Sequence, residues 1–218
     1  MRPYLACFSF DFDYARLEQE VSQYIPDMIE SGPAKRFKDV YAPCIDVSHF
    51  DGNKIIKGSV KGHSVYSLTY VPELEYSGYG FNMFRSAMES QSWNWRPNLD
   101  YTQSVVESLP MDWYKIVKVL YLPEGGAGVR HTDSKFNDND SITIEILQGG
   151  VLLNIYPDSE TEPIQPSTRC FFFDDGVLHG VGTPISSRLL LRVHGKLSPN
   201  ALDLAVPGTT RYLRDTQQ

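Results

Sequence analysis

The chain has 218 residues, 41% of them hydrophobic and 12% aromatic, which excludes wholesale disorder and supplies one sizeable core without disulfides or a second domain. A formal charge of −7 sets nucleic acid aside as a partner, because phosphate binding relies on basic surface. Cys7, Cys44 and Cys170 are odd in number and show no Cys-x-x-Cys spacing. With no apolar stretch of membrane-spanning length and no secretory opening at Met1-Arg2-Pro3-Tyr4, they point to reduced thiols, no membrane and a cytoplasmic location.

In chain order, Tyr4 to Phe10 reads as a short strand. From Asp13 to Ile25 the apolar positions Tyr14, Leu17, Val21, Tyr24 and Ile25 recur at helical spacing, with Asp13 placed to cap and Pro26 to stop the helix. Residues 38–98 are irregular and rich in Gly and Tyr. Val65 to Val71 is their clearest strand and Phe81 to Glu89 a candidate helix. Asp100 is expected to cap a second amphipathic helix carrying Tyr101, Val105, Val106 and Leu109, stopped by Pro110. This first part, 1–112, reads as a helical and irregular buttress.

From Trp113 the period changes to two. Ile142, Ile144 and Ile146 alternate with Ser141, Thr143 and Glu145, and Leu189, Leu191 and Val193 alternate with Arg188, Leu190 and Arg192. Turns at Gly125-Gly126, Gly149-Gly150, Pro157-Asp158 and Thr183-Pro184 separate the strands. The pattern predicts a single domain, 1–218, mainly β with supporting helices. Its double-stranded β-helix core, a cupin-like jelly roll, spans 113–197, and a C-terminal tail follows over 198–218.

Within this core, His131-Thr132-Asp133 followed by His179 offers two imidazoles and a carboxylate. Side chains at i and i+2 of a strand share a face, so His131 and Asp133 can reach one cation while Thr132 points away. Such a set on one face of an octahedral metal leaves other positions open, the arrangement of non-heme Fe(II) oxygenases. Arg188 lies beyond the distal histidine as an anion clamp. His49-Phe50-Asp51 also fits His-x-Asp, but Asp51-Gly52-Asn53 is turn chemistry and no histidine and arginine follow at comparable separation. The polar loop from Asp133 to Asp140 lacks the glycine and terminal glutamate of an EF-hand. No nucleophile elbow, zinc-protease helix or phosphate loop is present.

The segment Leu122-Pro123-Glu124-Gly125-Gly126-Ala127-Gly128-Val129-Arg130-His131-Thr132-Asp133, with Phe171-Phe172-Phe173-Asp174-Asp175-Gly176-Val177-Leu178-His179 and Arg188, resembles the 2-oxoglutarate- and Fe(II)-dependent dioxygenases. Within that superfamily it is most similar to the aspartyl/asparaginyl β-hydroxylase and free-proline hydroxylase branch. The resemblance implies His131, Asp133 and His179 as catalytic iron ligands, with Fe(II), 2-oxoglutarate and O2 as cofactor and cosubstrates. It implies Arg188 as partner of the distal carboxylate of 2-oxoglutarate. Arg192 shares its strand parity and is the alternative. Where the family often has Ser or Thr two residues after the arginine, this chain has Leu190. Arg130 is a candidate for the substrate carboxylate and Trp95 for the pocket wall. Asp133 favours hydroxylation or desaturation over halogenation. The expected substrate is a small molecule, a free amino acid or small derivative. The alternatives are a residue in a peptide or protein partner, or a non-catalytic jelly-roll binding protein that keeps a metal.

Overall fold

A computed structural model describes residues 2–26, 50–51, 54–55, 66–70, 98–125, 128–131, 140–157 and 162–213. Its strands are β1 (Pro3–Phe8), β2 (Phe50–Asp51), β3 (Lys54–Ile55), β4 (Tyr66–Tyr70), β5 (Met111–Leu122), β6 (Gly128–His131), β7 (Asp140–Gln148), β8 (Leu153–Tyr156), β9 (Cys170–Phe173), β10 (Leu178–Val181), β11 (Arg188–Leu197) and β12 (Arg211–Tyr212). Helices α1 (Tyr14–Ser22) and α2 (Asp100–Glu107) lie between β1 and β5.

One sheet has the order β12-β1-β9-β7-β11-β5-β4 and a second the order β6-β10-β8. From β5 to β11 the chain enters the large sheet and the small one in strict alternation. That winding is the double-stranded β-helix anticipated from the period-two pattern, and it makes every β5–β11 strand pairing non-local and antiparallel.

Side-chain parity sorts the large sheet into two faces. Ala6, Phe8, Ile142, Ile144, Cys170, Phe172, Leu189, Leu191 and Val193 pack with Leu17 and Val21 of α1 and Val105 and Val106 of α2. On the opposite face Leu5, Cys7, Phe171 and Phe173 meet Leu153 and Ile155 of the small sheet. Covered on both faces, β7 and β9 are buried along almost their whole length. β-branched isoleucines suit such a pleated, doubly packed surface.

The helices follow their sequence signals with one exchange of roles. The Asp13 carboxylate accepts the Arg16 amide at 3.0 Å, as a cap should, and α1 ends at Ser22, short of Pro26. Asp100 does not cap α2; it occupies the first turn, and Leu99 precedes the helix without a side-chain cap. Glu20 of α1 takes over, accepting the Tyr101 and Thr102 amides at 3.1 and 2.7 Å and the Thr102 hydroxyl at 2.9 Å. A carboxylate at a helix N-terminus satisfies orphan donors and favourable dipole together.

Three strands outside 113–197 belong to the large sheet. β1 and β4 extend it from the N-terminal part, and residues 198–213 are more than a tail, since they form a short 3-10 helix (Ala201–Leu204) and add β12 against β1. The strand read over Val65 to Val71 is β4, and Phe50–Asp51 pairs Lys54–Ile55 as the turn reading at Asp51 expects. The candidate helix at 81–89 lies outside the described residues. Cys7 and Cys170 are free and buried. Burial, reinforced by Cys7, pushes the Cys170 thiol far above its ordinary range, so it behaves as an inert apolar group. Among the described residues no helix is long and apolar enough to cross a membrane.

Candidate metal centre

His131 ends β6 and His179 lies on β10, and the two are direct partners in the antiparallel register. Directly opposed residues of an antiparallel pair occupy the same face of the sheet, with Cβ atoms roughly 4.5–5.5 Å apart. The fold thus brings together two histidines 48 positions apart in sequence (179 minus 131). Asp133 lies outside the described residues, as does Trp95, and Arg130 is placed only by its backbone on β6. Among the described residues alone no group of three metal-ligating side chains occurs.

His179 has the setting that a ligand role would require. It is buried, and its Nδ1–H donates to the Val177 carbonyl at 2.8 Å, which leaves the lone pair on Nε2. Metal-bound histidines are oriented in this way, by a hydrogen bond from the other ring nitrogen. The Phe173 and His179 rings meet in a T-shaped contact with centroids 4.9 Å apart, which restrains the imidazole plane. The preceding Asp174-Asp175 pair divides its work. Asp174 accepts the Gly176 amide at 3.0 Å and pairs with Arg2 at 3.1 Å, shaping the turn. Asp175 is buried and takes Arg192 at 2.8 Å.

The interior between the sheets has an apolar half and a polar half. β8 packs on β1 and β9 in the apolar half, and His179 of the neighbouring β10 meets Phe173 at its border. In the polar half Ser141, Thr143 and Glu145 of β7 face Arg188, Arg192 and His194 of β11, all buried or nearly so. Arg192 stacks over Phe173, 4.6 Å from its centroid, which joins it to His179 through one ring. Four residues along the strand, its Cα roughly 13 Å away, Arg188 pairs with Glu145. His194 is pushed well below the ordinary histidine range by burial, then by Lys118 and Arg192, and stays a neutral imidazole.

A β-bulge arranges the Arg188 end. Leu189 pairs with Leu147, but Leu190 pairs with Glu145, leaving Ile146 as the extra residue. Ile146 and Leu147 therefore both turn to the helix face, while Glu145 and Gln148 come to the same interior face, where the Gln148 amide donates to Glu145 at 3.0 Å. Arg169 donates to the bulge carbonyls of Glu145 and Ile146 and lies 3.6 Å from the Tyr14 ring centroid. Strict alternation separates residues 145 and 148, so their contact was invisible to it. The nearest signal is the Gly149-Gly150 turn, where both φ angles are positive and a Cβ on Gly149 would meet the Ser186 carbonyl at 2.6 Å.

The donor set fits the groups it suggests. Two register-paired histidines, one with its tautomer fixed, suit a divalent transition metal. Among the described residues the Arg188 Nε–H is buried without a hydrogen-bond partner, a donor able to take a further acceptor such as a carboxylate oxygen.

No protein-family model and no curated protein sequence matches the chain. Among solved structures, a Pseudomonas putida prolyl-4-hydroxylase is similar at 15% identity and TM-score 0.47, over 89% of this chain and 92% of that one. A Trichoplax adhaerens prolyl hydroxylase, solved with a hypoxia-inducible-factor peptide, is 11% identical at TM-score 0.47, over 92% and 85%. A 2OG-Fe(II) oxygenase family oxidoreductase from Burkholderia pseudomallei is 9% identical at TM-score 0.38, over 62% and 68%. With likenesses this distant, the fold assignment rests on the strand order of this chain.

Proposed function

We propose that the chain is an Fe(II)- and 2-oxoglutarate-dependent oxygenase that hydroxylates an unactivated C–H bond of a free amino acid or small amino-acid derivative in the cytoplasm. The register pairing of His131 with His179 carries this reading. His131, Asp133 and His179 would hold the metal, and Arg188 would take the distal carboxylate of 2-oxoglutarate. Arg130 and Trp95 would receive the substrate. When bound, iron supplies the coupling of O2 and 2-oxoglutarate oxidation to substrate hydroxylation, with succinate and CO2 released.

The chain supplies position and exclusion. Val177 holds the Nδ1 proton of His179, keeping Nε2 as the ligating atom. Phe173 fixes that ring and presents its face to Arg192, which Asp175 neutralises. Leu5, Phe171, Leu153 and Ile155 cluster with Phe173 and exclude water from that side of its ring.

Succinate release measured over a panel of free amino acids and matched peptides tests the substrate class. Stimulation by at least one free amino acid is the expected result. Stimulation by peptides alone would move the substrate to a residue of a partner protein.

A further inference from the structure

We propose that Glu145 is a built-in competitor for Arg188 that lowers the preference of this pocket for a ligand with an anionic distal end. The inference rests on the reading of Arg188 as the clamp for 2-oxoglutarate. It concerns a residue for which that reading has no role.

Three observations carry it. First, the Arg188 and Glu145 side chains are 7% and 1% exposed and in direct contact through Nη2 and Oε1, so the guanidinium is neutralised before any ligand arrives. Second, Glu145 is held on both oxygens: Gln148 donates to Oε2, and the Ile146 bulge fixes both residues on this face. Third, among the described residues Arg188 keeps an unpartnered, buried Nε–H, so a second acceptor has a place to bind.

A distal carboxylate arriving at that donor must share one guanidinium with Glu145. Like charges brought together in a water-poor interior repel, whereas an uncharged acceptor takes the same N–H without repulsion. Glu145 is therefore a positioning residue that sets charge selectivity through Arg188.

Oxygen-free calorimetric titration of the Mn(II)-loaded protein with 2-oxoglutarate and with its 5-methyl ester reads this selectivity without turnover. Wild type is expected to bind the two within about threefold of each other. Glu145→Gln keeps shape and hydrogen bonding but removes the charge. It is expected to tighten 2-oxoglutarate and raise the acid-to-ester preference by roughly tenfold or more. A wild-type preference for the acid above that level overturns the proposal, and this arm decides even if the variant does not fold. An equal shift of both ligands in the variant also overturns it. If wild type binds neither ligand, the oxygenase reading falls and takes this one with it. If wild type binds 2-oxoglutarate but Glu145→Gln leaves the preference unchanged, only the role of Glu145 is lost.

Discussion

Replacing His179 with alanine is expected to lower affinity for Fe(II), or for Mn(II) as its redox-inert stand-in, by at least about 100-fold, with the fold retained. Even partners that only orient a ligand cost roughly 10–100-fold when lost, and this change removes the ligand itself. The imidazole is held from two sides, by the Val177 carbonyl and the Phe173 ring, and neither of these offers a nitrogen ligand in place of Nε2. Equilibrium dialysis against Mn(II) checks the result. His49→Ala, the decoy, should leave affinity unchanged. Retained affinity in His179→Ala, or its loss in His49→Ala, would place the metal elsewhere.

The second large effect separates the two interior arginines. In a Glu145→Gln background, where no carboxylate is stranded, Arg188→Ala is expected to weaken 2-oxoglutarate binding at least roughly 30-fold while leaving metal affinity intact. Arg192 does different work. Its guanidinium engages Asp175 and stacks on the Phe173 ring, so Arg192→Ala removes a charged partner from a carboxylate that is 4% exposed. Breaking a buried pair from one side costs about 3–5 kcal/mol, which in a chain of this size lowers the melting temperature on the order of 10 °C. Calorimetry and thermal melts of the two variants give both readouts. Loss of 2-oxoglutarate binding in Arg192→Ala rather than Arg188→Ala would reassign the clamp.

What the sequence disclosed was local or periodic. The alternation of Ile142, Ile144 and Ile146 with polar neighbours assigned the two faces of β7, and Asp13 marked the start of α1, because strand pleat and helix capping are written within a few residues. The pairing of His131 with His179 was inferable from residue type and order, though its register was not.

What stayed hidden depends on distant partners. Glu20 caps α2 from another helix, which made Asp100 look like the cap. The β12 strand exists because β1 offers it an edge, and two exposed residues, Arg211 and Tyr212, carry no apolar pattern of their own. The Ile146 bulge breaks the period on which the β7 reading relied, and it is this break that sets Gln148 beside Glu145.

Oxygen-free absorption spectroscopy of wild-type protein with Fe(II) and 2-oxoglutarate tests the central claim most directly. The account predicts a weak visible charge-transfer band that needs both components and saturates at one of each per chain. Protein that binds Fe(II) yet shows no band at saturating 2-oxoglutarate would contradict it.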